Sequence, residues 1–600
     1  MKNLKSIFLF SILLSLGVFL LACTKTPEVS LEFNTNGGSL ITPILTDGKS
    51  ISLPNNPTKD GYIFDGWYWD NETFTEKLTN KSIPESKIAA TMTVYAKWIP
   101  ATDARQFTIT FDSMGGTPVE PITADFQSAI QKPTDPTMDG LSTFDNWYID
   151  QDYTTPYIFT TMPETNITLY AKWNTLGLVT APIEITMWHI ERTTKRDLLI
   201  KYANEFMNLY PHITVNIPDA TSSLDILKNS LQSSFAHNTA KPNIIEATAY
   251  NLAEYKYQSF ILNLNPYIND PTYGLSNSES LEDILLSFRE ESSQYDANHN
   301  FYGLPFSKST EVMIYNQTAF TSINKEIPKT WNDVISITPF LRTYGAQYNN
   351  LSQVIPVTYD SAGNAFITFI KQFDGAYTSL NYNTMTGECL WEDNVNTIEA
   401  MNFLKTNKGS ITTPQFWNED YGTNPFMQQK TLALISSSSE IRYNIPPINP
   451  NTGQPIFEIG VAPIPYNSEL SDSKAVLQKG LDLALVNTGT DQEKLASWLF
   501  LKFITNTENS ADWAINTGSI PIRTSAFQTA PYQEFLNNPT TAQKYTSMVA
   551  NAMYLQLDDM FFAPSFIRSE FVREKVGYAI ERILYGDGNI DAALEDAVVD

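Results

Sequence analysis

The sequence predicts an α/β protein in which a large two-lobed domain follows two small β-rich repeats, and three observations carry that expectation. One pattern of glycines and aromatic residues is written twice between residues 29 and 173. From residue 183 the pattern becomes strand, helix, strand, helix, strand, the order of a parallel α/β sheet. A second α/β region follows around Thr431 to Ile435, Leu481 to Val486 and Gln492 to Ile504. Two such lobes joined by crossing segments would place a cleft between them.

Bulk properties set the outer limits. At 600 residues the chain is too long for one ordinary core. With 42% hydrophobic and 17% charged residues it can bury large cores and does not have the composition of a disordered chain. The 39 basic residues against 65 acidic ones leave a formal charge of -26. Such a balance repels phosphate backbones and acidic lipid head groups, which excludes nucleic acid as a natural partner and leaves small neutral solutes open.

The first element is an address. Lys2 and Lys5 precede an apolar run from Ile7 to Ala22, shorter than the ~20 apolar residues of a membrane span and suited to a secretory signal over residues 1–22. Leu20-Leu21-Ala22-Cys23 resembles a lipobox, in which Cys23 accepts a diacylglycerol and becomes the first mature residue. Lipidation at Cys23 would hold the protein on the outer face of the cell membrane while leaving it in water. The other cysteine, Cys389, reads as a half-buried free thiol beside a turn.

The repeats come next, at 29–99 and 106–174. The first reads Phe33-Asn34-Thr35-Asn36-Gly37-Gly38, then Gly66-Trp67-Tyr68, then Tyr95-Ala96-Lys97-Trp98. The second reads Phe111-Asp112-Ser113-Met114-Gly115-Gly116, then Asn146-Trp147-Tyr148, then Tyr170-Ala171-Lys172-Trp173. Paired glycines after an alternating strand permit a turn with positive φ, and recurring aromatics can form the core of a very small domain. The copies resemble the Listeria–Bacteroides repeat of bacterial surface proteins, which implies a β-grasp-like module. Two roles are open, a spacer and an adhesive surface, and the spacer is favoured.

Residues 175–182 read as a linker, and residues 183–600 as the two-lobed domain. Ile183 to Met187 alternates as a strand, and Leu198, Leu199, Tyr202, Ala203, Phe206 and Leu209 fall on one helical face of 197–210. Ile213 to Ile217 alternates again, Leu224, Leu227, Leu231 and Phe235 mark another helix, and Ile244-Ile245 a buried strand. From Glu184 onward several stretches resemble the extracellular solute-binding proteins that include maltose- and glycerol-3-phosphate-binding receptors. They are Ile185-Thr186-Met187-Trp188-His189, Tyr302-Gly303-Leu304-Pro305 with Ile314-Tyr315-Asn316, Pro328-Lys329-Thr330-Trp331, Gly480-Leu481-Asp482 and Thr517-Gly518-Ser519-Ile520-Pro521. The resemblance implies a periplasmic-binding-protein fold whose lobes close on one solute. It also implies an importer permease as partner, no enzyme activity and no cofactor.

A sugar site needs aromatic platforms and a few fixed hydrogen-bond partners. Trp188 lies at the carboxyl end of the first strand, where α/β sheets place ligands, with His189 beside it and Tyr250 also a cleft candidate. The resemblance adds Ser309 on the crossing segment, Asp360, Ser361 and Asn364 in a second-lobe loop, and Ser437 and Ser438 after a second-lobe strand. Gly480 and Ser519 come from the crossing and hinge-side elements, and Arg568 aligns by order with a phosphate-binding arginine. Three departures weaken a glycerol-phosphate ligand. Ser519 stands where that branch has tyrosine, Leu224 near another ligand-binding tyrosine, and Ala249 where it has a carboxylate. The expected solute is therefore a sugar or oligosaccharide. The histidines His212, His237 and His299 have no metal-binding spacing, and no nucleophile elbow or His-Glu-x-x-His pair is present. An adhesin and a secreted glycosidase remain as rival readings, the latter disfavoured.

Overall fold

The computed structural model describes residues 29–599 apart from 47–50, 52, 79–82, 102–104, 138–141, 176, 352 and 472. Two compact units result, one formed by the repeats up to Trp173 and the other from Asn174 onward.

In the first unit each repeat is a four-stranded sheet. Strands β1 (Val29–Asn34), β2 (Ile44–Thr46), β3 (Tyr62–Tyr68) and β4 (Thr91–Pro100) take the order β2-β1-β4-β3. Strands β5 (Gln106–Asp112), β6 (Ile122–Asp125), β7 (Ser142–Tyr148) and β8 (Ile167–Thr175) take the same order, β6-β5-β8-β7. A central parallel pair with antiparallel neighbours is the expected β-grasp-like arrangement. Alternation buries Leu31, Phe33, Val94, Ala96 and Trp67 on one face, with the rings of Phe33 and Trp67 meeting edge-on at 4.8 Å. Phe111 and Trp147 repeat that contact at 4.9 Å.

The structure gives the glycine pair two different tasks. Gly37 has φ +85° and makes the turn. Gly38 instead leaves room for Trp98, because a Cβ there would lie 2.3 Å from the indole. Trp98 Nε1 donates to the Thr35 carbonyl at 2.8 Å, and Trp173 does the same to Ser113 at 3.0 Å. The Gly-Gly and the closing tryptophan of each motif are thus one lock.

The second unit is built on a ten-stranded sheet. Its strands are β9 (Ile183–Trp188), β10 (Ile213–Asn216), β11 (Ile244–Ala247), β12 (Leu304–Asn316), β13 (Ile355–Tyr359), β14 (Ile411–Thr412), β15 (Thr431–Ser437), β16 (Ile459–Ala462), β17 (Val476–Leu485) and β18 (Met560–Phe561). The order β10-β9-β11-β17-β12-β15-β13-β14 places the parallel strands β9–β11 in one lobe and β13–β15 in the other. The long antiparallel strands β12 and β17 belong to both, and Ile520 bonds to the Lys308 carbonyl from a third passing segment at 2.8 Å.

The expected first-lobe helix spans Thr194–Leu209 and buries Leu199, Tyr202, Ala203 and Phe206, whereas Leu209 is exposed at the helix end. Thr330 caps helix Trp331–Tyr348 in a box with Asp333. The segment read as a linker is tied into this unit, since Leu178 N donates to the Tyr273 hydroxyl and Val179 N to Gln492.

Candidate functional site

Side-chain alternation sorts the crossing strands onto two faces. Lys308 points to one. Its ammonium, 1% exposed, lies 2.7 Å from Glu291 and 2.5 Å from Asp482, and Ser292 donates to Asp482 at 2.6 Å. Burial pushes the Glu291 carboxyl up, against the pull of Lys308. This triad pins helix Leu286–Ser292 to both crossing strands. Grooves of about 320, 590 and 550 Å³ surround that helix, sharing Glu290 among their lining residues.

The other face carries Ser307, Ser309 and Glu311. Ser309 stands opposite Lys479 of β17, and Glu311 opposite Ser437 of β15. The Glu311 carboxylate is buried at 1% exposure, accepts from Asn364 Nδ2 at 2.6 Å and from the Tyr359 hydroxyl, and lies 3.5 Å from Lys479 Nζ. Asn364 Oδ1 in turn accepts from Arg573, on helix Ser569–Tyr585. That helix packs closely on helix Ala362–Gln372, because glycines meet there: a Cβ on Gly363 would lie 2.6 Å from the Arg573 carbonyl. Burial holds the Lys479 ammonium below its ordinary value; Glu311 opposes this and Arg573 adds to it.

The residues expected at the site divide into two groups. Ser309, Asn364 and Ser437 meet on this face. Tyr250 approaches from the first lobe, at the start of helix Ala249–Tyr257, and its hydroxyl is raised by burial and by Glu570 of helix Ser569–Tyr585. Asp360 sits one turn away, accepting from Gly422 N at 2.6 Å and Ser436 Oγ at 3.2 Å. Trp188, half-buried at the end of β9, packs against the same first-lobe cluster as Leu224 and Ile567.

The remaining expected residues make contacts within the scaffold, and Arg568 among them is exposed. Ser361 caps helix Ala362–Gln372, and Ser438 accepts from Thr310 N at 3.3 Å. His189 is buried at 1% exposure with Nε2 2.9 Å from the Pro218 carbonyl, and burial lowers its pKa. Ser519, 2% exposed, bonds to Thr517 at 2.9 Å. Gly480, at φ +119°, permits the strands to touch, since a Cβ would lie 2.2 Å from the Ser307 carbonyl. Arg568 lies over the Phe571 ring at 5.4 Å.

Sequence reasoning passed over Glu311, Lys479, Arg573 and Glu570. The available signal was the small pair Ala362-Gly363 facing Gly577, which marks a close helix crossing and so brings Arg573 beside Asn364. Among the described residues no group of three or more histidine, cysteine or carboxylate side chains could hold a metal ion. Cys389 is a partly buried free thiol, raised by burial.

Residues 201–540 match the family model described as bacterial extracellular solute-binding protein, and 30–97 and 107–172 match the Listeria–Bacteroides repeat domain. The chain is 26% identical over 260 residues to the sn-glycerol-3-phosphate-binding periplasmic protein UgpB of Yersinia enterocolitica, 41% of this chain and 54% of that one. It thus spans about half the length of that relative. Among solved structures, the cyclic α-maltosyl-1,6-maltose binding protein of Arthrobacter globiformis superposes with a TM-score of 0.55 at 18% identity, covering 70% of this chain and 97% of that one. UgpB of Mycobacterium tuberculosis, in complex with glycerophosphocholine, gives 0.53 at 18% identity, covering 70% and 96%.

Proposed function

The chain belongs to the bacterial extracellular solute-binding protein family, and from that premise we propose that it is the receptor of an ABC importer. It captures a sugar or oligosaccharide by lobe closure and hands it to a membrane permease. The observation that carries the reading is the face of the crossing strands bearing Ser309, Glu311 and Lys479, approached by Tyr250 from one lobe and by Asn364 and Arg573 from the other. Polar groups fixed on two bodies around a hinge can bind a solute more tightly when the bodies are together, and that difference drives closure. The likeness to glycerol-3-phosphate-binding proteins favours a second reading, a glycerol phosphate or its diester as solute.

A thermal-melting panel of mono- and oligosaccharides and glycerol phosphates tests both. One class should stabilise the protein, by about 2.7 kcal/mol at ~100 times its dissociation constant; a panel with no stabilising solute would remove the main support.

We place the receptor on the outer face of the cell membrane, held through a lipid on Cys23, a residue outside the described ones. Among the described residues no helix is long and apolar enough to cross a membrane. Cys23→Ala should release the protein from the membrane fraction; continued retention would count against the anchor. The repeats serve as a spacer in this reading.

A further inference from the structure

Resting on the receptor reading and its hinged lobes, we infer that Met385 is a positioning residue for lobe closure. It plugs a hairpin of the second lobe into the core of the first and so favours the arrangement in which the lobes are together. In that arrangement Tyr250 of the first lobe also meets Glu570 of the second.

The hairpin is fixed to the second lobe. It arises between helices Ala362–Gln372 and Val395–Thr406. Along its stem Ser379 N donates to the Glu388 carbonyl at 3.0 Å, and Asn381 N to the Thr386 carbonyl at 2.8 Å. At its base Tyr377 stacks on Trp391 at 5.5 Å, and Trp391 Nε1 donates to the Leu594 carbonyl at 3.1 Å. The hairpin therefore moves with the second lobe.

Its tip belongs to the other lobe. Asn381, Tyr382, Asn383, Thr384 and Thr386 are exposed, whereas Met385 between them is 1% exposed. Met385 joins the first-lobe cluster of Ile245, Leu252, Ala253, Tyr255 and Tyr295, and its carbonyl accepts from Ile567 N at 2.9 Å. It takes φ +53°, in the left-handed region where a hairpin loop favours glycine or asparagine. Local turn chemistry thus disfavours methionine here, and burial of the side chain in the opposite lobe offsets that cost. Beside the plug the lobes are not close-packed. Leu380 and Tyr382 border a groove of about 590 Å³ with Arg289 and His299 of the first lobe. A swing of one lobe relative to the other draws Met385 from its socket and exposes it to water.

The test uses the full chain with spin labels at Ile226→Cys on the first lobe and Tyr578→Cys on the second, both exposed positions. Cys23→Ser and Cys389→Ser leave these as the sole thiols. Double electron–electron resonance reads the distance between the labels with no solute added. With Met385 in place, the distance set by the described arrangement should be populated. Met385→Gly should lower its weight relative to other distances by at least about tenfold. Glycine suits the left-handed turn, so the hairpin is kept while the plug is lost. Met385→Leu should restore the population. The inference is overturned if the described distance is absent with Met385 in place, if Met385→Gly leaves the distribution unchanged, or if Met385→Leu fails to restore it. Each of these results leaves the receptor reading standing, because the solute panel tests that reading separately.

Discussion

Asp70 shows how one carboxylate can organise a loop. The amide of Glu76, with those of Phe74 and Thr75 and the Thr73 hydroxyl, holds its carboxyl well below the usual range. Asp150 does the same in the second repeat with the amides of Thr154 and Thr155. Because the folded pKa is depressed, this stabilisation is present above the ordinary value of 3.8 and fades as pH falls below it. Asp70→Asn should therefore lower the melting temperature at neutral pH, with the gap to the wild type closing in acid; a gap that persists at pH below the folded pKa would refute the assignment. Gly480 is the other residue whose chemistry is set by its place. Alanine there would meet a backbone carbonyl at 2.2 Å and take φ +119°. Gly480→Ala should cost about 3 kcal/mol or more in urea unfolding, since neither the clash nor the strain can relax through a side chain.

At the scale of elements, the crossing strands do most to position the site. Their Lys308 face is held by charge and their Ser309 face is left to polar groups from both lobes. Removing Lys308 would leave Glu291 and Asp482 buried with no cation between them. Lys308→Met is expected to lose ~3–5 kcal/mol of stability by urea unfolding, the usual result of breaking one side of a buried ion cluster. A loss within a few tenths of a kcal/mol would show that the triad is incidental. Another element bridges the lobes without charge. The turn bounded by Asn381 and Thr386 sends Met385, 1% exposed, into the first-lobe cluster of Leu252, Tyr255 and Tyr295, although its chain arises between second-lobe helices. Nothing in the local pattern around Thr384-Met385-Thr386 marks it as core, because its partners lie in another lobe.

For the whole molecule, the repeats and the two-lobed domain have separate cores: Leu31, Trp67 and Val94 in one repeat, Ile109, Trp147 and Leu169 in the other, and Ile185, Phe206 and Leu483 among many in the large domain. Deleting residues 29–173 should leave the melting transition of the large domain unchanged, as calorimetry of the shortened chain would show; a shifted transition would mean that the cores are coupled. The repeats, the strand and helix alternation from Ile183 to Ile245 and parts of a second α/β region were readable from residue patterns, because period-2 and period-3.6 alternation records which side of an element is buried; the two-lobed fold was implied by the family resemblance. The Thr330 cap was readable for a similar reason: its partner Asp333 is three residues away. The polar cluster was only half readable. Ser309 and Asn364 could be named, but Glu311, Lys479 and Arg573 could not, since their meeting depends on strand register and on two helices crossing at Gly363 and Gly577. Separations of 168 residues between Glu311 and Lys479 and 209 between Asn364 and Arg573 leave no local trace. Local chemistry dictates elements from their neighbours in the chain; a binding surface is made of residues that become neighbours only after the chain has folded.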